Sequence, residues 1–176
     1  MSWRIAAVAV ALGLLACAST QVNYDHDPSY DFGSLRSWDW MAEPGQVQGA
    51  AGVRSPLVEQ RIREAIGRNL DAKGYPRVEG GDSDFRVAFH GGADQKLDVR
   101  TTYDTYGYRW RVSVERTEVR QYTEGTLIID IVDGDQNELV WRGIGVVEVH
   151  AGSPEEITEQ VNQVVTDVLK GFPPGQ

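Results

Sequence analysis

A chain that contains Tyr122–Gly145 must build a β-sheet. Two β-rich runs, Tyr122–Asp133 and Glu138–Gly145, flank the polar turn Gly134–Asn137, and the Asp133-Gly134 step is a strong hairpin signal. Side chains alternate across a strand, so Leu127, Ile129 and Ile131 share one face while Thr126, Ile128, Asp130 and Val132 take the other. On the return run Leu139, Trp141, Val147 and Val149 fall on one face, with small Gly143 and Gly145 between them. Apolar residues at that density need a sheet interior and a covering layer. The hairpin itself carries no evident chemistry.

The covering layer is legible as two amphipathic helices. Ser55-Pro56 supplies an N-cap and a proline at the first helical position, and Val58, Ile62, Ala65, Ile66 and Leu70 form an apolar stripe that Gly74 closes. Ser153-Pro154-Glu155-Glu156 is a capping box, followed by the stripe Ile157, Val161, Val164, Val165, Val168 and Leu169. Gly171 ends this helix and Phe172-Pro173-Pro174 cannot continue it. No helical pattern separates the strands between Asp84 and His150, which argues against a doubly wound parallel sheet. The spacing predicts a single α+β domain over 22–174: a two-layer sandwich, a mainly antiparallel sheet with two amphipathic helices packed on one face.

Three further segments belong to that sheet or its loops. Asp84–His90 predicts a half-buried strand with Phe85, Val87 and Phe89 on one face, broken by Gly91-Gly92. Val22–Met41 predicts two strands about a turn near Asp25–Asp31. Trp38 and Trp40 share a face there; such a pair packs in the core or at a sheet rim, or else stacks on sugar. Glu43–Gly52, rich in Gly, Ala and Gln, predicts a mobile loop.

Lys96–Gln121 is rich in Tyr, Trp and Arg, and predicts a strand, a Tyr106-Gly107-Tyr108 turn and a return strand through Trp110, Val112 and Val114. It is the one cationic segment of a chain that carries 26 acidic against 17 basic residues and a net charge of −9. Tyr106, Tyr108, Arg109, Trp110 and Arg111 are the candidate partner-binding residues, because Arg and aromatic side chains dominate interface hot spots. The same mixture suits stacking on a glycan. A twisted edge hairpin with cross-strand pairs explains it without any partner. The overall acidity argues against nucleic acid as a partner and against electrostatic docking on anionic lipid.

The N-terminus reads as an address. Arg4 precedes the uncharged apolar run Ile5–Leu15, which has the length of a signal-peptide core and is too short to span a bilayer. Leu14-Leu15-Ala16-Cys17 resembles a lipobox: cleavage between Ala16 and Cys17 removes a signal peptide over 1–16, and the diacylglycerol sits on the sulfur of Cys17. Cys17 is the sole cysteine, so no intramolecular disulfide forms, and lipidation removes an unpaired thiol. Residues 17–21 are then a short lipidated tether, reaching about 15–18 Å when extended. Position 18 is Ala, not Asp, which by resemblance to enterobacterial sorting favours the outer membrane, periplasmic face. The bilayer is the expected partner through Cys17.

Glu124-Gly125-Thr126-Leu127, Asp130, Asp133 and Leu139-Val140-Trp141-Arg142-Gly143 resemble the signature of a bacterial envelope lipoprotein family, domain-of-unknown-function family 4136. The resemblance extends to Asp31-Phe32, Trp38-Asp39-Trp40, Lys73-Gly74-Tyr75, Asp84-Phe85 and Phe172-Pro173-Pro174, and so spans most of the mature chain. It implies a lipid-anchored periplasmic domain without an assigned activity, and it brings no catalytic residue. Nor do the residues themselves offer one. There is no P-loop, no G-x-S-x-G and no H-E-x-x-H. His26, His90 and His150 lie far apart, and Asp133, Asp135 and Asn137 lack the sixth-position glycine and late Glu of a calcium loop. The expectation is a non-enzymatic interaction or scaffold module of the cell envelope with no cofactor, its partner an envelope protein or glycan. The alternative is a hydrolase or transferase acting on envelope glycan.

Metabolic labelling with a clickable fatty acid tests the anchor. The wild-type chain is expected to take up the label and Cys17→Ser to lose it; label persisting in that variant overturns the lipobox reading.

Overall fold

The computed structural model describes residues 20–49, 55–80, 82–106 and 112–175. The signal segment, Cys17 and the end of the expected loop at 50–52 lie outside the described residues. Five strands form one mixed sheet: β1 (Gln21–His26), β2 (Trp38–Gly49), β3 (Phe85–Tyr106), β4 (Val112–Asp133) and β5 (Leu139–Val149). Two helices accompany it, α1 (Pro56–Ala72) and α2 (Pro154–Leu169). The strand order is β1-β5-β4-β3-β2; β2–β3 is parallel and the other neighbours are antiparallel.

Both helices start as their caps dictate. The Ser55 hydroxyl accepts from the Leu57 amide. Ser153 and Glu156 bond reciprocally in a capping box, which satisfies amide donors that a helix start otherwise leaves open. Ile62, Ala65, Ile66 and Leu70 of α1 and Val161, Val164, Val165, Val168 and Leu169 of α2 are buried. They share one core with Phe85, Val87 and Phe89 of β3, Leu127, Ile129 and Ile131 of β4, and Trp141 of β5. The expected faces of β3 and β4 are therefore the core faces. Gly143 and Gly145 let α2 come close: a Cβ on Gly145 would lie 2.6 Å from Val168 and one on Gly143 would collide with the Trp141 ring. Trp38 is 1% exposed, and Trp40 meets it edge-on at 5.0 Å, so this pair packs rather than binds sugar. The Arg63 guanidinium covers the Trp40 ring at 5.4 Å.

Four expectations need correction. The strand at Asp84–His90 does not end at Gly91-Gly92. It runs on to Tyr106, because both glycines are paired to β4 at Leu127 and Thr126 and to β2 at Val47 and Gln48. A Cβ on Gly91 would stand 3.0 Å from Val47, so glycine here admits a neighbour rather than a break. Glu43–Gly52 is not a loop throughout: β2 continues to Gly49 on the parallel ladder with β3, after a register shift between Trp40 and Gly45. An edge strand tolerates Pro44 at such an irregularity. Leu139 does not share the face of Trp141. Ile131 pairs with Trp141 and Val132 with Leu139, so Val140 is an extra residue that turns Leu139 outward. Finally, the two strands about the Asp25–Asp31 turn form, but at opposite edges of the sheet, with a 3-10 turn at Phe32–Ser34 between them.

Carboxylates fasten the connections. Asp84 accepts from the amides of Arg36 and Ser37 and from the Ser37 hydroxyl. Asp133 accepts from the Tyr30 hydroxyl at 2.6 Å and from the amides of Asp135 and Gln136. Burial pushes the Asp133 carboxyl up, but these donors outweigh it and hold it below the usual carboxylate range.

Two outcomes follow from this packing. Trp141 is 1% exposed and its indole N–H donates to the Gly171 carbonyl, so Trp141→Ala is expected to cost about 3–5 kcal/mol in urea unfolding; a midpoint unchanged within error contradicts the placement. Because the folded Asp133 pKa is depressed, its stabilisation is present above the unfolded value near ~3.9 and is lost as the pH falls through the folded value. Asp133→Asn should therefore lower stability at neutral pH and flatten the acid limb below about pH 4 in a pH-stability profile.

Candidate functional site

The sheet is not equally wide along its length. β2 accompanies β3 only as far as Ala93, and β5 accompanies β4 only as far as Thr123. The β3–β4 ladder continues without a third strand among the described residues, from Lys96 opposite Tyr122 to Tyr106 opposite Val112. At about 3.4 Å per residue this is a two-stranded arm roughly 35 Å long. The two predicted strands are described as extensions of β3 and β4, the two longest strands; the predicted turn after Tyr106 lies outside the described residues. Tyr106 ends the described part of β3; Tyr108, Arg109, Trp110 and Arg111 lie outside the described residues.

The arm has two chemically different faces. Leu97, Val99 and Tyr103 of β3 and Val119 of β4 share the face that continues the core side of the sheet, and all are exposed, Tyr103 to 69%. Behind them lie Lys96, Asp98 and Arg100 paired in register with Tyr122, Arg120 and Glu118. Arg100 bonds Asp98 at 2.9 Å, Arg120 bonds Glu148 at 2.6 Å, and Lys96 lies 3.7 Å from Glu124. On this face the arm's root opens into a shallow depression of about 250 Å³, lined by Gln21, Asp98, Arg100, Arg120, Tyr122 and Glu148 among others. Gln95 and Gln121 bond across the strands at 2.8 Å. The apolar stripe was readable from the alternation in Leu97-Asp98-Val99-Arg100 and Glu118-Val119-Arg120, but the aromatic-rich run Tyr106–Arg111 is the stronger local signal.

On the sheet face opposite Ile129 and Ile131, Arg142 forks onto Asp130, which stands opposite it in the ladder, at 2.6 and 2.7 Å. The bond to Asp130 raises the Arg142 pKa even though burial opposes it. His90 lies 3.9 Å from the same carboxylate. A carboxylate bound to a guanidinium on both oxygens is a structural brace rather than a free acid or base. The other carboxylates of the motifs are likewise engaged. Asp31 caps the 3-10 turn. Asp39 accepts from the amides of Trp40 and Gly80 and from Arg77. Asp84 and Asp133 hold the turns described above. Asp133 accepts the turn amides itself, with Asn137 at φ +58°, which is turn chemistry rather than a calcium loop. Among the described residues no group of three His, Cys, Asp or Glu side chains is arranged to hold a metal ion, and no helix is long and apolar enough to cross a membrane.

Comparison with known proteins places this geometry. A PDZ domain protein from Parabacteroides distasonis superposes on 90% of the chain with a TM-score of 0.55 at 13% identity; the chain spans only 38% of that protein. The PelC dodecamer from Paraburkholderia phytofirmans is similar over 90% of this chain and 100% of its own, with a TM-score of 0.50 and 11% identity. At these identities the likeness is one of fold. No curated protein matches the sequence. The family described as Domain of unknown function (DUF4136) matches residues 22–174, which takes in β1 from its second residue, the other four strands, both helices and the closing Phe172. The chain is a member of the DUF4136 family.

Proposed function

We propose that this chain is a lipid-anchored protein of the bacterial cell envelope, held at the periplasmic face of the outer membrane through Cys17, and that it works as a non-enzymatic interaction or scaffold module. The observation that carries this reading is the arm. A two-stranded hairpin has little stability of its own, and this one leaves four large apolar side chains in water. Such an element is retained where something docks on it. Its acids near the root, Asp98, Glu124 and Glu148, each have a cation within ion-pair distance, which suits adhesion better than acid–base catalysis. We also read the fold as two layers with both helices on the sheet face that carries Phe85, Ile129 and Trp141, because their stripes meet those side chains in one core. The anchor rests on the lipobox and on the distance from Cys17 to the first strand: β1 starts at Gln21, so the domain sits close to the membrane.

Reversing Arg109 and Arg111 to Glu tests the Tyr106–Arg111 segment as the contact. Thermal stability should move by no more than about 0.5 kcal/mol, since surface substitutions rarely do more. Cross-links between the protein and its envelope partner in intact cells should disappear. An unchanged cross-linking pattern shows that this segment is not the contact.

A further inference from the structure

Among the described residues both edges of the arm are open, β3 beyond Ala93 and β4 before Thr123, so the edges single out no partner. Its two faces do differ. From Gln95 to Tyr103 and from Glu115 to Thr123, the face with Leu97, Val99, Tyr103 and Val119 has one charged side chain, Glu115, at the outer end opposite Tyr103. The other face carries Lys96, Asp98, Arg100, Arg116, Glu118 and Arg120. Of the eight large apolar side chains exposed among the described residues, four lie on the first face, so apolar exposure is concentrated there rather than scattered. Polar groups on that face are bonded within it: Gln121 donates to Gln95 at 2.8 Å, and the hydroxyls of Thr101 and Thr117 lie 3.5 Å apart. We infer that this face of the arm docks on the surface of a lipid bilayer. The inference rests on the anchor at Cys17 proposed above.

The reach of the anchor selects the occupant. Gln21, Val146, Thr126 and Gly92 stand in register across four strands, and β1 runs away from the arm, so the tether joins this row from the arm's side. Residues 17–21 reach at most about 15–18 Å. Past the same row β3 continues from Gly92 to Tyr106, about 45 Å at ~3.3 Å per residue. The tether is much shorter than the arm. Were the sheet upright with its arm toward the lipid, the outer arm would have to enter hydrocarbon, which does not accept a ribbon with a charged face and two open edges. Were the arm pointing away, the tether would have to double back past His26, roughly 17 Å from Gln21 at the far end of β1, with no length left to reach lipid. What remains is an arm laid along the membrane surface. There the hydrated headgroups take the hydrogen bonds of the open edges and the charged face stays in water. Leu97, Val99, Val119 and Tyr103 enter the apolar boundary, a zone that suits tyrosine with its apolar body and polar tip. Helix side chains fill the core on this side of the body, so the arm meets lipid at a tilt, with Tyr103 deepest and Leu97 shallowest. Apolar burial drives the contact, so the net charge of −9 does not oppose it as it opposes electrostatic docking.

The test uses the full chain, purified from its own membrane and reconstituted at low density in vesicles of phosphatidylethanolamine with a minority of phosphatidylglycerol, where no other protein is present. Cys17 is the sole native cysteine and its sulfur carries the lipid, so one introduced cysteine takes an environment-sensitive fluorophore. Nitroxide-labelled lipid quenches that fluorophore on contact. Labels at Val99→Cys, Val119→Cys and Tyr103→Cys should be blue-shifted and quenched, most strongly at Tyr103→Cys. Labels at Arg100→Cys and Glu118→Cys should be neither. An acylated chain whose labels are unquenched, or quenched equally on both faces, overturns the docking and leaves the anchor standing. A blue shift that grows with protein density and escapes the nitroxide assigns the face to a second copy. Thiols shielded in the native membrane but free in the vesicles assign it to another envelope protein. Either result overturns docking on lipid. A wild-type chain whose mass shows no acyl group removes the tether argument and the anchor reading together.

Discussion

Phe172 sits where the separate pieces of this fold meet. It lies just beyond α2, is fully buried, and touches rings from four other segments: Phe32 of the 3-10 turn, Tyr75 after α1, Phe85 at the start of β3 and Trp141 of β5. Ring pairs at these separations add specific geometry to plain burial. The contacts also tie together segments that lie far apart in the sequence. Trp141 repeats the connection in polar form through its bond to the Gly171 carbonyl. Several short family motifs share this point. Asp31-Phe32, Lys73-Gly74-Tyr75, Asp84-Phe85 and Phe172-Pro173-Pro174 each bring one member to the same aromatic cluster, and the aspartates pin the adjoining backbone.

That cluster gives the motif residues a structural part. Their carboxylates are spent on amides, hydroxyls and guanidinium groups, and their aromatics on each other. The face of the sheet opposite Ile129 and Ile131 is braced by Asp130 and Arg142 in the same manner. What remains unaccounted for by packing is the arm, where alternation produces a well-formed ribbon with an apolar side and nothing described against it. Its four exposed apolar side chains set it apart from the buried faces of β3 and β4 in the body.

The body was legible in the sequence wherever the signal is short-range. The Ser55 and Ser153 caps, both helix stripes and the Asp133-Gly134 turn all depend on residues within a few positions of one another. Errors arose where a distant strand decides the outcome. Gly91-Gly92 reads as a break until β4 and Val47 pair on either side of it. Pro44 and its glycine neighbour read as a loop until the parallel ladder with β3 is known. The extra residue at Val140, which turns Leu139 to water, has no local signature. For the site, alternation about Val99 and Val119 was visible, but that this stretch extends past the sheet depends on where β2 and β5 stop.

The direction of β1 has a consequence of its own. β1 runs antiparallel to β5, with Gln21 opposite Val146, so the chain enters the sheet at the end from which the arm projects. Were the chain anchored at Cys17 as proposed, this end of the sheet, with the root of the arm, would be the part nearest the lipid. A partner confined to the same membrane would then be found by a search in two dimensions rather than three, and a contact too weak to hold in dilute solution could persist at ordinary surface densities.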